Sequence, residues 1–286
     1  MLNSIFIIFQ YVVPQHLLSQ LAGKIASSKN VKLKNFLISY FLKNYDINMS
    51  EAKVQNAFEF ETFNHFFTRK LKNDARPISL ENNVIISPAD GAVSQVGLIK
   101  NGEIFQAKGR SFNLYDFLGR NKNISDFFLN GSFSTIYLSP KDYHRIHMPF
   151  TGTLLSMDYI PGNLFSVNPA TVESVDNLFA RNERLSCIFE TKNGPMAVVL
   201  VGAMIVSGIR VIWEKNPFIK NRKIQHFKYP QKGEGSVHLN KGDELGRFLL
   251  GSTVVICFPN KKVNWNKNIM LDTSLKMGQS IARTSS

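Results

Sequence analysis

From Val84 onward the chain consists of short runs rich in Val, Ile, Phe and Thr, punctuated by Gly, Pro and Asn. These include VIIS, AVSQVGLI, EIFQA, SFSTIYLS, GTLLSMDYI, LSCIFET, MAVVLVGAMIVSGIRVIW and FLLGSTVVICF. Runs of that length and content, bounded by turn residues, read as strands, and their number predicts a mostly antiparallel sandwich or barrel-like domain with short helices. Residues 1–80 have a different texture, with apolar side chains at helical spacing. The expected class is therefore α+β: an N-terminal helical region, 1–80, followed by a β-rich domain, 81–286.

Residues 1–45 contain Lys24, Lys29, Lys32, Lys34 and Lys43 and no Asp or Glu, interleaved with apolar residues such as Leu17, Leu21, Ile25, Phe36 and Phe41. Such helices either lie in a membrane interface or pack on a core of their own with the lysines solvated. The formal net charge of +13 calls for an anionic partner without choosing among nucleic acid, an acidic leaflet and a phosphorylated substrate. A second basic stretch, Lys215, Lys220, Arg222, Lys223, Lys228 and Lys232 against Glu214, reads as a loop facing an anion or water.

The longest apolar runs fall short of the roughly 20 residues that span a bilayer. IFIIFQYVV is interrupted by Gln10 and closed by Pro14, and MAVVLVGAMIV reads as buried strand, so no transmembrane helix is expected. The N-terminus lacks the basic stretch and small-residue cleavage site of a secretory signal. Cys187 and Cys257 sit in apolar strand contexts, as buried thiols of a reducing compartment do.

Three segments could carry chemistry. In SPKDYHRIHMP, Ser139 reads as a helix cap, Pro140 as the first helical residue and Asp142 as the far side of a capping box. That predicts one or two helical turns placing His144 and His147 on one face, as acid and base or as two metal ligands. The other histidines show no paired spacing, so no metal site is expected. In SPADG, Asp90 is either a turn residue bonding its own backbone or a carboxylate partner for a histidine. In LGST, Gly251 and Ser252 lie inside a strand-like run, where a Gly-Ser pair marks a bulge or a close backbone approach. An Asp, a His and a Ser on separate segments suffice for a nucleophilic triad if the fold unites them.

Taken in order, TFNHFFTRKL, ARPI, SPADGAVSQVG, QAKGRSFNLYDFLG, YLSPKDYHRIHMPFTG, PGNLFSVNP, NLFARNERL, GPMAVVLVGAMIVSGI and KGDELGRFLLGSTVV resemble the phosphatidylserine decarboxylases, pyruvoyl-dependent proenzymes, nearly end to end. The resemblance implies self-cleavage between Gly251 and Ser252 into a large chain, 1–251, and a small chain, 252–286. By the same resemblance, Asp90 orients and charge-stabilises His147, His147 takes the proton of Ser252, and the Ser252 oxygen attacks the Gly251 carbonyl. β-Elimination and loss of ammonia then leave a covalent pyruvoyl group at position 252. That ketone would form a Schiff base with the serine headgroup of the lipid and accept the electrons released with carbon dioxide, with His144 as proton donor. The implied setting is an anionic membrane, bound peripherally on the cytoplasmic side, by a dimer of large-and-small-chain heterodimers, with no nucleic acid involved.

A zinc peptidase or carrier-like barrel-sandwich domain is the alternative, since KGDELGRF followed by GST has that rhythm of turn and strand. The chain lacks the histidine pair of such peptidases near its end and the Met-Lys turn of such carriers. A binding protein explained by charge alone would need a nucleic-acid module, and none is recognisable.

Overall fold

The computed structural model describes residues 2–205, 208–214 and 223–285. Lys215, Lys220 and Arg222 of the second basic stretch lie outside them. Helices come first: α1 (Leu2–Val12), α2 (Gln15–Ala26), α3 (Val31–Asn44) and the short α4 (Phe63–Phe67). Pro14 breaks the first two apart, and their axes meet at 92°. Asn30 caps α3 and Thr62 caps α4 through side-chain oxygens that accept from the third residue on. No single helix among the described residues is long and apolar enough to cross a membrane, although the bent α1–α2 pair together has the length and composition.

Strands then run in order: β1 (Val84–Ile86), β2 (Gly91–Leu98), the hairpin β3 (Glu103–Ala107) and β4 (Arg110–Asn113), β5 (Ser132–Leu138), β6 (Arg145–His147), β7 (Gly152–Ile160), β8 (Arg184–Thr191) and β9 (Gly194–Val201). After them come β10 (Ile209–Val211), β11 (Gln225–Lys228), β12 (His238–Leu239), β13 (Glu244–Phe248), β14 (Ser252–Phe258), β15 (Val263–Trp265), β16 (Ser274–Leu275) and β17 (Ser280–Thr284). The main sheet has the order β11-β7-β8-β9-β14-β5-β2-β16, and smaller sheets are β10-β13-β6 and β1-β17-β15. The pairs are antiparallel and the sheets stay open, so the fold is the expected α+β class without barrel closure.

Alternation explains why the central strands are apolar throughout. In β9, Met196, Val198 and Leu200 face one core, while Ala197, Val199 and Val201 face another; β14 divides Val254 and Ile256 from Val255 and Cys257 in the same way. The two small sheets cover the first face through Ile85, Ile146, Ile209, Phe248 and Ile281. The β3–β4 hairpin and short helical turns cover the second through Phe112, Phe117, Phe128 and Phe179. Both cysteines are buried and free, and burial pushes the Cys257 thiol up to about 12. A third core joins the helices, with the Phe41 ring against Phe63, Phe66 and Phe67 and with Leu250 packed on its edge.

Two expectations about the helices need correcting. Lys34 is not a solvated lysine: it is buried, and its ammonium donates to the carbonyls of Phe58 (2.6 Å) and Phe60 (2.9 Å), tying α3 to the following loop. The side that α1 turns to the protein is not purely apolar either: beside Ile7, which packs on the second core, and Tyr11, whose ring meets Phe165, it carries a buried amide. Gln10 is fully buried, donating to Thr171 Oγ1 (3.1 Å) and accepting from Ser166 N–H (2.8 Å). Gln15 accepts from Leu164 N–H at 2.6 Å, and His16 Nε2 donates to the Gly162 carbonyl at 2.9 Å. The opposite face leaves Ile5, Ile8, Phe9 and Val12 in solvent, with Val12 76% exposed.

Candidate active site

The capping-box residues meet as predicted, but they close a turn and not a helix. Asp142 Oδ2 accepts from Ser139 N–H (2.7 Å) and Ser139 Oγ (2.8 Å), while Asp142 N–H donates to the Ser139 carbonyl. The chain then enters β6, recruited by pairing with β13, so tertiary pairing overrides the local helix signal. The shared histidine face is lost, because residues three apart on extended backbone point to opposite sides.

His144 is fully buried and stacks on Phe67 with ring centroids 4.0 Å apart. Its Nε2 lies 3.1 Å from the Ser139 carbonyl, which only accepts, so Nε2 carries the proton; the buried Nδ1 has no hydrogen-bond partner. Burial, followed by the charge of Arg69, pushes the ring down to about 3 against the pull of the Pro140 and Ser139 carbonyls, so it is neutral at physiological pH. His147 is held at both nitrogens. Nδ1 donates to the Gly242 carbonyl at 2.7 Å, and Nε2 accepts from Tyr143 Oη at 3.0 Å. Burial holds the Tyr143 phenol well above its ordinary range, so it stays a donor. Burial also lowers the proton affinity of His147, and the charges of Glu244 and Asp90 partly restore it.

Asp90 is nearly inaccessible but richly bonded. Arg76 grips both its oxygens (2.9 and 2.6 Å), Met277 N–H donates at 2.8 Å, and Lys276 Nζ stands 3.5 Å away. Arg76 also reaches Glu51 at 2.7 Å, and despite burial these two carboxylates hold its proton more firmly than usual. Asp90 thus spends its oxygens on Arg76, Met277 and Lys276 and accepts no hydrogen bond from the His147 ring. The two are linked by charge and by backbone, with His147 N–H donating to the Pro88 carbonyl at 2.8 Å. Gly91, next to Asp90, has no room for a side chain, since a Cβ there would lie 2.3 Å from the Tyr137 carbonyl oxygen.

Ser252 is not inside a continuous strand. β13 ends at Phe248, whose N–H donates to the His144 carbonyl, and β14 begins at Ser252. Between them Leu250 (φ +83°) and Gly251 (φ +46°) both adopt left-handed backbone. A Leu in that region is strained, whereas glycine tolerates it. Ser252 is fully buried, pairs with Leu138 across β5, and its Oγ has no partner. Leu138 immediately precedes Ser139, whose carbonyl holds His144, so Ser252 and His144, each with a buried atom lacking a partner, meet adjacent residues of the chain.

Among the singled-out residues, Ser252 and His144 thus meet adjacent residues of one segment, Leu138 and Ser139, while Asp90 and His147 are tied through the Pro88 carbonyl. Sequence reasoning missed Arg76, Tyr143 and Glu51. Tyr143, four residues before His147, left the only local signal. Among the described residues no three His, Cys, Asp or Glu groups converge as a metal site.

A buried, unbonded hydroxyl directly after a left-handed glycyl link has the makings of a nucleophile, which points to an enzyme. A family model described as phosphatidylserine decarboxylase matches residues 63–283, and a second, described as PSD, matches residues 5–46. The chain is 49% identical over 282 residues to a phosphatidylserine decarboxylase proenzyme of Pseudomonas fluorescens SBW25, covering 99% of each. It is 50% identical to one of Pseudomonas putida F1, covering 99% of this chain and 98% of that relative. It is 47% identical to one of Bordetella pertussis Tohama I, covering 98% and 94%. The chain belongs to the phosphatidylserine decarboxylase family and is an enzyme of the decarboxylase class.

Proposed function

We propose that this chain cleaves itself between Gly251 and Ser252 and uses the resulting pyruvoyl group to convert phosphatidylserine to phosphatidylethanolamine at an anionic bilayer surface. The observation that carries the reading is the orphaned Ser252 Oγ directly after two left-handed residues. A buried hydroxyl without a partner costs stability and is retained where it has chemistry to do. Attack of that oxygen on the Gly251 carbonyl exchanges the amide for an ester and releases the backbone twist at Leu250 and Gly251. Loss of the α-proton of residue 252 then expels Gly251 as a carboxylate. The remaining enamine tautomerises, takes up water and loses ammonia, leaving the ketone.

The proton of Ser252 needs a base, and the two imidazoles differ in fitness. His144 is bonded to the residue after Leu138, the strand partner of Ser252, yet its affinity, pushed down to about 3, makes it a poor acceptor. Burial lowers the affinity of His147 too, but the Gly242 carbonyl and the charges of Glu244 and Asp90 favour its imidazolium against Arg145. We therefore assign the base of cleavage to His147, which must exchange its Tyr143 bond for one to Ser252. His144, whose buried Nδ1 is left without a partner, serves turnover. The pyruvoyl ketone supplies a carbonyl that holds the substrate amine and accepts the electron pair released with carbon dioxide. Asp90 fastens the small chain, through Met277 N–H and Lys276, to Arg76 of the large one.

The exposed apolar row of α1 supports bilayer contact. Ile5, Ile8, Phe9 and Val12 recur at helical spacing on its exposed face, followed by Leu17, Leu21 and Ile25 on α2. With Lys24, Lys29 and Lys32 nearby, this surface suits peripheral binding to an anionic leaflet. The experiment is to weigh the purified protein. Two pieces, with the smaller starting at a pyruvoyl-blocked residue 252, and release of carbon dioxide from phosphatidylserine vesicles, are expected; an intact chain that decarboxylates the lipid overturns the reading.

A further inference from the structure

The β10-β13-β6 sheet carries three arginines in one row. Arg210 on β10 is directly opposite Arg247 on β13, and Arg247 is opposite Arg145 on β6. Neighbouring residues Ile209, Val211, Phe248 and Ile146 turn into the core, so the row occupies the other face. Glu244 is the one carboxylate in ion-pair contact with the row among the described residues. It binds Arg145 Nη1 at 2.6 Å, and its other oxygen lies 3.3 Å from Arg247 Nη2 without a hydrogen bond. No ion pair holds Arg210, which is exposed. Like charges directly opposite on paired strands are destabilising, so a row of three with one counter-charge is a cost to the fold that a bound anion removes.

The row is graded from inside to outside. Arg145, next in sequence to His144, is buried and donates to the Thr68 carbonyl; Arg247 is intermediate; Arg210 opens to solvent. Arg210 and Arg247 line a cleft of about 680 Å³ whose wall includes Thr68 and Leu249, the latter three residues before Ser252. Two acidic residues also line it: Glu61, occupied by Lys29 and His65, and Glu214, which has a partner of its own. The rim carries the exposed Ile212 and the Ser27 cap of α2, and the apolar face of α2 ends beside it at Ile25. The cleft thus has cations within, the reacting strand at one end and an apolar lip at the other.

We propose that Arg210 and Arg247 bind the phosphodiester of the lipid headgroup, with the headgroup amine directed toward position 252 and the acyl chains leaving past Ile212 toward α2. Guanidinium groups suit this role because their planar donors match two phosphate oxygens at once. Arg145 stays with Glu244 and fixes the inner end of the row. The assignment deepens the phosphatidylserine reading and rests on it.

The test compares Arg210→Gln, Arg210→Lys and Arg247→Gln with wild type in mixed micelles, following self-cleavage on gels and turnover against the surface concentration of phosphatidylserine. Each Gln variant is expected to cleave normally and to raise KM about ten-fold, the loss expected for one charge-assisted contact, with kcat within about two-fold. Arg210→Lys should recover part of the loss. Glycerophosphoserine should compete in wild type and compete more weakly against Arg210→Gln. An unchanged KM in both Gln variants overturns the assignment. So does a KM rise matched by weaker binding to phosphatidylglycerol vesicles, which would make the arginines a general membrane contact, or inorganic phosphate competing as well as glycerophosphoserine. Should Arg247→Gln fail to fold, the exposed Arg210 still decides. A wild type without decarboxylase activity sinks the functional reading instead, and calorimetry with glycerophosphoserine would then read the arginine site on its own.

Discussion

His144 donates its Nε2 proton to the Ser139 carbonyl, one residue along from the partner of Ser252 in the sheet. That bond fixes the tautomer and leaves Nδ1 as a bare, buried acceptor. The two histidines of one short motif are thus committed to different neighbours, and substitutions at each should have different consequences.

Replacing Ser252 by Ala removes the nucleophile and the source of the ketone together. The Ser252→Ala chain is expected to fold, to remain one band on a denaturing gel and to release no carbon dioxide. Mass spectrometry that finds a cleaved small chain in this variant would contradict the assignment.

For the histidines the prediction is a split. His144→Ala is expected to cleave but to turn over more slowly by about 10² to 10⁴, the usual contribution of a positioned proton-transfer group. His147→Ala is expected to slow the appearance of the small chain itself. Time courses of the two bands, taken alongside steady-state rates, separate the effects; equal loss of both steps in both variants would remove the division of roles.

The pH dependence follows from where each ring binds protons. His144 holds about 3 in the folded protein against an ordinary 6.5, so between those values the unfolded chain binds the extra proton. Its contribution to stability is complete above 6.5 and is lost progressively as pH falls toward 3. His144→Phe, which keeps the stack on Phe67, should flatten the acid side of a denaturation midpoint plotted against pH. Cleavage by neutral His147, whose affinity is also lowered, should hold its rate down to slightly acidic pH and decline below it.

Gly251 is required for its backbone and not for space, since a Cβ there meets nothing within 4 Å. Gly251→Ala should fold, at a cost of about 1 kcal/mol for a left-handed alanine, and show altered cleavage kinetics. Gly91→Ala should fail to accumulate as folded protein, because its Cβ runs into the Tyr137 backbone. Circular dichroism and a cleavage gel on both variants test the contrast.

Ile8→Asp combined with Val12→Asp places charge on the exposed face of α1 and leaves the Gln10 contacts intact. Cosedimentation with anionic vesicles is expected to weaken by at least about ten-fold, since each lost apolar side chain accounts for roughly 1.5 to 3 kcal/mol of burial. Deleting residues 1–43 is the blunter test, because it also removes the clamp on residues 162–171. Unchanged binding in the double variant would turn this face back into an ordinary surface.

Much of the fold was legible because alternation and turn punctuation are local signals, and both survive from Val84 to the C-terminus. The errors arose where a distant partner decided the outcome. Ser139 and Asp142 carry a genuine capping pattern, yet β13 draws the next residues into a strand. Lys34 looked solvated because nothing in its neighbourhood announces the Phe58 and Phe60 carbonyls. Arg76 stood in plain view beside Pro77, but its grip on Asp90 joins residues far apart in sequence, and no periodicity records such a bond. The Gly251–Ser252 pair signals a bulge or a close backbone approach, whereas the chain breaks one strand and starts the next there, through a left-handed leucine that no propensity favours.

The position of β14 between β5 and β9 has a final consequence. A cut before Ser252 would leave the small chain's first strand hydrogen-bonded on both flanks, so the fragments would stay interlocked without a covalent bond. The same cut would erase the connection through which that strand was threaded into place. Such an enzyme assembles once: after denaturation its halves would have to find each other as separate molecules, and its working lifetime would be set by how slowly it comes apart.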